Sequence, residues 1–499
     1  MTACSGGGGG GDQASSRPVL AASYVPSGHA AAGDVSVHLF EWPWNDIANE
    51  CVTQLGPKGY KAVQVSPPQE DIAGTQWWTR YQPVSYSIDQ SRSGTRAEFI
   101  DMVKRCNDVG VDIYVDAVIN HMTAGFGNGS NGPYTKYNYP GLYTQSDFHS
   151  PCSVNNYQSA ANVQDCELVG LADLNTGSAS VQQKIADYLV GLAQLGVAGF
   201  RIDAAKHIQP VELDDILAKV NQTLAPPYYF AEVIDYGGEA VKASDYFGLG
   251  YSSGGAADIT EFIFRGVGDK FLHNGGQYLA QLNPNGTPGN QFSESAWGIM
   301  PSDKAVVFLE NHDTQRSSDI PYPISYRDGA IYRLANVWML AQPYGYPSVM
   351  SSYAFDRTTP AGRDAGPPPT GSGCAASLES AIIGDWVCEH RDPVIANMIA
   401  FRRAVAGTSQ TNWWDNGTNA IAFAREGKGF VAINEETSLF SYPSLPTGLA
   451  PATYCDVLGG GVSAGVCVGQ SVTVDSSGYA TISLAALTAI VLQDSITVP

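Results

Sequence analysis

Four times in this chain a short apolar run meets a carboxylate. Residues 111–119 contain Asp116 and stop at Asn120-His121, 199–202 is followed by Asp203, 228–234 contains Glu232, and 305–309 leads to Asp313. Stretches with helical spacing lie between and around them, over 45–55, 97–109, 181–195, 211–220 and 394–403, with further strand-like runs at 35–40, 62–65 and 346–351. Repeated strand–helix units predict a parallel sheet with helices outside it. If that sheet closes into a barrel, its strands all end on one face, and the acids meet there. Alternation also places Arg201 on the strand face of Asp203. That pairing reads either as a buried ion pair or as part of a site.

Spacing sets the domain plan. A unit of an eight-stranded barrel takes about 30 residues. Asp203 to Glu232 is 29 residues, one unit, whereas Asp116 to Asp203 is 87 and Glu232 to Asp313 is 81, between two and three units. The excess in the first gap is residues 121–173, rich in Gly, Asn, Tyr and Ser and without helical periodicity. Beyond 407 the pattern becomes short alternating runs with Gly and Pro turns. The expected architecture is a flexible Gly-rich tether over 1–33, a (β/α)8 TIM barrel in two parts (34–120 and 174–406), a small inserted domain after strand 3 (121–173), and a C-terminal antiparallel β-sandwich domain (407–499).

The net charge of −21, from 27 basic and 48 acidic residues, argues against a nucleic-acid partner. No apolar run approaches the ~20 residues of a membrane span, so no transmembrane segment is expected. Of nine cysteines, Cys152/Cys166, Cys374/Cys388 and Cys455/Cys467 are neighbouring pairs 14, 14 and 12 residues apart, and no Cys-x-x-Cys occurs. Disulfides fit this pattern better than zinc. Cys51 and Cys106 fall on the first two helices, neighbours in such a fold, and could bridge. An exported protein follows, extracellular or at the cell surface. Cys4 is left over. Thr2-Ala-Cys4 resembles the tail of a bacterial lipoprotein signal, which would make Cys4 a lipid anchor; a plain linker with an incidental cysteine is the equal alternative.

Four stretches now align in order and spacing: Asp116-Ala-Val-Ile-Asn-His121, Gly199-Phe-Arg-Ile-Asp-Ala-Ala-Lys-His207, Ala231-Glu-Val-Ile234 and Phe308-Leu-Glu-Asn-His-Asp313. Together they resemble the motifs of the α-amylase family of glycoside hydrolases, over nearly everything from about Val35 onward. Trp77-Trp-Thr-Arg-Tyr-Gln-Pro-Val-Ser-Tyr86, Val349-Met-Ser-Ser-Tyr353 and Asn412-Trp-Trp-Asp-Asn-Gly417 make the animal-type members and their bacterial relatives the best likeness.

The resemblance implies endo-hydrolysis of α-1,4-glucosidic bonds in starch, glycogen and maltooligosaccharides with retention of configuration. An exo-acting maltooligosaccharide-forming hydrolase or a transglycosylase of the same family is the alternative. Asp203 would be the nucleophile, Glu232 the general acid/base and Asp313 the acid that steadies the transition state. Retaining chemistry needs one ionised and one protonated carboxyl about 5 to 5.5 Å apart. Arg201 is expected to keep Asp203 ionised, and burial with nearby negative charge to raise Glu232. Contacts to an α-glucan would come from Trp77, Trp78, Tyr81, His121, Arg201, Lys206, His207 and His312. A Ca²⁺ site is implied on the side chains of Asn120 and Asp173 and the carbonyls of Gln164 and His207. Chloride is not expected. Arg201 and Asn311 would supply part of the anion site of the chloride-activated members, but Ser348 stands where those carry a second arginine. The expected assembly state is a monomer.

Overall fold

The computed structural model describes residues 17–20 and 23–498. Its centre is a closed barrel of eight parallel strands: β1 Ser36–Leu39, β2 Ala62–Val65, β3 Asp112–Ala117, β4 Gly199–Ile202, β5 Tyr228–Ala231, β6 Ala257–Thr260, β7 Ala305–Val307 and β8 Tyr346–Ser351. Neighbours in sequence are neighbours in the ring, and β8 closes on β1 with Ser348 opposite Ser36. Because helices cover the outside and side chains fill the inside, these strands read as continuous apolar runs rather than as alternation.

Helices α1 Trp44–Glu50, α2 Arg96–Asp108, α3 Ala179–Gln194, α4 Pro210–Thr223, α5 Gly266–Phe271, α6 Ala330–Ala341 and α7 Pro393–Ala404 pack around the ring. Helix α2 shows how local sequence sets them. Thr95 Oγ1 accepts from the Glu98 N–H at 3.3 Å and Glu98 Oε2 from the Thr95 N–H at 2.8 Å, a capping box that starts the helix. Phe99, Met102, Val103 and Cys106 then recur on its buried face. A π-turn, Cys51–Leu55, extends α1, and the Cys51–Cys106 disulfide ties it to α2. The other three predicted pairs, Cys152–Cys166, Cys374–Cys388 and Cys455–Cys467, are also bridged.

Between β3 and α3 the chain makes its excursion, with a hairpin of Gly127–Gly129 and Gly132–Tyr134 and a short helix, Ala160–Asp165, beside Cys152–Cys166. It returns to the barrel where His121 bridges Asp173 and the Leu174 N–H donates to the Asn120 carbonyl at 3.0 Å. The C-terminal unit is a four-stranded antiparallel sheet, β9 Gln410–Asp415, β10 Ala420–Arg425, β11 Gly429–Asn434 and β12 Thr488–Gln493. Ile421, Phe423, Val431, Ile433 and Val491 join the barrel's core, while Ala422, Phe430, Ala432, Ile490 and Leu492 join a second core. One face closes on each, as a period of two requires.

The structure departs from the sequence reading in four places. The tether over 1–33 and Cys4 fall partly outside the described residues, but from Tyr24 onward the segment packs beneath the barrel. The short helix His29–Ala32 presents His29, which stacks on Tyr346 at 4.4 Å, meets Tyr228 edge-on at 4.6 Å and lies 3.3 Å from the Tyr114 hydroxyl. Ser27 Oγ donates to Asp258 at 2.5 Å. A polar, Gly-containing stretch gave no sign of this because one aromatic ring carries the packing. Strand β6 went unread because four residues with Asp258 at the second position form too short an apolar signal. With it, Glu232 to Asp313 is two units. Helix α6 also went unread; nine of its twelve residues are buried, and a largely apolar run is not assigned to helix or strand by periodicity alone. The runs 111–119 and 228–234 narrow to 112–117 and 228–231.

His29→Ala removes the ring that closes the barrel floor, and is expected to lower unfolding free energy by about 2 kcal/mol. Urea denaturation followed by tryptophan fluorescence reads this; wild-type stability would show that the segment only rests there.

Candidate active site

The C-terminal ends of the strands open into a cleft of about 490 Å³. Each element delivers its residues from one loop. Trp77, Trp78 and Tyr81 come from the 3₁₀ turn Trp77–Tyr81 after β2, and His121 follows β3. Asp203, Lys206 and His207 follow β4, Glu232 follows β5, and His312 and Asp313 follow β7. All of these line the cleft. Arg201 does not; it lies beneath the floor, against a small cavity of about 30 Å³.

From there Arg201 holds three acids. Its Nη1 donates to Asp116 at 2.5 Å and to Asp203 at 2.9 Å, and its Nη2 pairs with Glu232. Asp116 is fully buried and also accepts from the Tyr81 hydroxyl at 2.9 Å. Ala204 adopts φ +49°, a left-handed conformation uncommon for a residue with a Cβ, and its N–H donates to Glu232 at 3.2 Å. That kink turns the chain away just after Asp203 and binds the two loops together.

Burial pushes Asp203 well above the ordinary aspartate range, opposed by Arg201 and reinforced by Glu232 and Asp116. Burial likewise raises Asp116 against Arg201 and Tyr81, and raises Asp313 against Arg201 and Arg316. The expectation that Arg201 keeps Asp203 ionised meets an opposing effect: burial raises Asp203, and Arg201, which also bonds Asp116 and Glu232, offsets part of that rise.

The histidines are neutral. Burial lowers His121 and His207 to about 4 and His312 well below its usual value. Carbonyl partners fix their tautomers, since a carbonyl only accepts. His121 Nε2–H donates to Tyr81 O at 2.9 Å, and Asn120 Nδ2 lies 3.3 Å from its Nδ1, so both ring nitrogens are engaged. His207 Nδ1–H donates to Val163 O at 2.8 Å, leaving Nε2 an acceptor. His312 stacks face to face on Tyr81 at 5.1 Å. Lys206 pairs with Glu239 and donates to Ile234 O at 2.5 Å.

Asn120, Gln164, Asp173 and His207 are all buried. The His121–Asp173 bridge brings the first and third together, and the bond from His207 to Val163 brings the other two. Gln164 Oε1 is buried without a partner, and Asp173 has a single hydrogen-bonded neighbour, His149 at 2.7 Å. Among the described residues no three His, Cys, Asp or Glu side chains gather as a metal cluster. What is present is a set of oxygen donors with one carboxylate, which fits a hard divalent cation.

The cavity beneath the floor is lined by Arg201, Asn311 and Ser348 among others. Asn311 Oδ1 accepts from the N–H groups of Asp313 and Thr314 at 3.1 and 2.8 Å, holding the turn that carries Asp313.

Sequence reasoning gave Asp116 no role, although the residue stands in a quoted motif. Its partner became visible only through register, which sets Asp116 opposite Arg201 across β3 and β4. Glu239, Tyr157 and Tyr236, also on the cleft wall, lie in irregular segments with no periodic signal.

The chain is similar to known proteins over most of its length. The family model described as the catalytic domain of alpha amylase matches residues 61–343, and that of its C-terminal all-beta domain matches 411–494. An alpha-amylase from Tenebrio molitor is 46% identical over 466 residues, 90% of this chain and 94% of that one. One from Streptomyces violaceus is 44% identical over 474 residues, 95% of this chain and 75% of the other. Wild-type alpha-amylase I from Eisenia fetida superposes with a TM-score of 0.82 at 36% identity, over 94% of this chain and 98% of that chain. A mutant of alpha-amylase I from Eisenia fetida, in a maltohexaose complex, gives 0.81.

Asp116→Asn takes one acid from the hub but leaves Arg201 two others, so the loss should fall below that of a fully broken buried pair, at about 2 kcal/mol. Guanidinium unfolding measures it, and an unaltered midpoint would mean the acid is dispensable.

Proposed function

The chain belongs to the α-amylase family of glycoside hydrolases, and from that premise we propose that it is an extracellular α-amylase, hydrolysing internal α-1,4-glucosidic bonds of starch, glycogen and maltooligosaccharides with retention. The observation that carries this is the meeting of Asp203, Glu232 and Asp313 on one cleft, with Arg201 bonded beneath two of them. Asp203 attacks the anomeric carbon. Glu232 protonates the leaving oxygen and later takes a proton from water, and Asp313 stabilises the positive charge that builds on the sugar. The shared guanidinium links the first two roles. Arg201 donates to Asp203 and pairs with Glu232, so one guanidinium anchors both carboxyl groups.

Trp77, Trp78 and Tyr81 offer ring faces to the glucose units. The maltohexaose complex of the Eisenia fetida relative supports a glucan in this cleft. Calcium, held by Asn120, Gln164, Asp173 and His207, would supply a fixed charge at the seam between the excursion and the barrel, ordering the loop that carries Asp203. Four disulfides suit an oxidising, extracellular setting, with Cys4, outside the described residues, the candidate point of lipid attachment.

Asp203→Asn and Glu232→Gln are expected to fold normally and lose hydrolysis of soluble starch by about a hundredfold to ten-thousandfold. Near-wild-type reducing-sugar release by either variant would refute the roles, and a product time course on maltoheptaose separates internal from terminal cleavage.

Chloride is not required, in this reading. Ser348 adds no charge to the cavity under Arg201, whose own charge is already engaged by three acids. Rates in chloride-free buffer should equal those with the salt; a large loss restored by chloride would sink this reading.

A further inference from the structure

Arg316 ends the 3₁₀ turn Thr314–Arg316 that directly follows Asp313. It is 7% exposed, and no carboxylate pairs with it among the described residues. Its guanidinium instead stands 4.4 Å from the ring centre of Phe355, 4.9 Å from Phe40, 5.1 Å from Tyr353 and 5.3 Å from Trp77. Nη1 donates to the His312 carbonyl at 2.7 Å, while Nε and Nη2 are buried without partners. Burying a cation without an acid is costly, and ring faces offset only part of that cost. A long apolar side chain would fill the same aromatic box at less expense. What the fold preserves here is the position of a charge.

We propose that Arg316 is a positioning residue for Asp313: it pins the His312 carbonyl, one residue away, and sets an undivided positive charge behind the turn that carries the acid. The inference rests on Asp313 belonging to the catalytic machinery. His312, held by its carbonyl from one side and stacked between Tyr81 at 5.1 Å and Phe40 at 5.0 Å, cannot rotate without moving the arginine's box. Trp77 joins the same box to the cleft wall. The groups that face Asp313 are Arg201 from β4, Tyr81 from the turn after β2, His312 with Nε2 at 3.6 Å, and Arg316. His312 is neutral and Arg201 is shared among three other acids, so Arg316 is the undivided cation among them. The Asp313 side chain stays 44% open to the cleft, and Arg316 opposes the rise that its surroundings impose on it. Removing that charge therefore moves the ionisation of Asp313 to higher pH.

The test compares wild type, R316M, R316K and D313N in kcat and KM on maltoheptaose across the acid limb. R316M should fold, cut kcat by about tenfold to a hundredfold with KM within about twofold, and move the acid limb of kcat/KM up by about one pH unit. R316K keeps the charge without the planar fork, so its limb should stay at the wild-type position while kcat falls part of the way. Wild-type rate and limb in R316M would overturn the proposal, as would equal limb shifts in R316M and R316K, the result of a purely structural role. If circular dichroism shows R316M unfolded, R316K decides alone: a displaced limb overturns the proposal. Near-wild-type activity in D313N would refute the catalytic role of Asp313 itself, whereas an inactive D313N beside an unaffected R316M would refute only Arg316.

Discussion

The bond set of Arg201 is the constraint on which the upper half of this molecule depends. Its partners Asp116, Asp203 and Glu232 come from three consecutive strands, β3, β4 and β5, so the contacts exist only if those strands are in register. A slip of one residue would turn Arg201 to the other face of the sheet. Asp203 would turn with it, and Asp116 and Glu232 would be left in a dry pocket without a cation, a costly arrangement that the fold avoids by fixing the strands. Barrel closure and site assembly are thus one event. The strained backbone at Ala204 belongs to it, since its N–H reaches Glu232.

The lower half supplies the environment. Tyr114, Phe230, Val306, Tyr346 and Ala62 fill the barrel interior, and His29 seals the floor from outside. A dry aromatic layer below and stacked rings of Phe40, Tyr81 and His312 above keep water from the guanidinium. In such surroundings each charge acts more strongly than in solvent, and each unpaired one costs more. The same dryness lowers the histidines and raises the acids, so the protonation pattern of the cleft follows from packing as much as from sequence neighbours.

This division explains what the sequence disclosed. The barrel strands were legible as short apolar runs and the amphipathic helices by burial of every third and fourth residue, and motif spacing picked out Asp203, Glu232 and Asp313 because strand ends converge. Strand β6 was hidden by brevity, and helix α6 by a largely apolar sequence whose type periodicity alone does not settle. The plug around His29 was hidden because a single ring does its work. Asp116 was visible as a residue but not as a partner, because its role is a cross-strand relation. The balance of effects on Asp203 was not legible in the sequence. Alternation showed Arg201 beside it, but not that Asp116 and Glu232 draw on the same charge.

A last consequence concerns which charges the substrate meets. The cations close to the cleft are all committed: Arg201 to three carboxylates below the floor, Lys206 to Glu239 and the Ile234 carbonyl, and Arg316 to an aromatic box and the His312 carbonyl. His121, His207 and His312 are neutral. Positive charge is therefore used to place and tune acids, while the groups that line the cleft beside them are carboxylates, neutral imidazoles and ring faces. A reaction that builds positive charge on its substrate meets no free cation there among the described residues, and carboxylates stand on the cleft wall. For a glycosyl centre passing through an oxocarbenium-like state, this distribution favours the transition state over the neutral ground state.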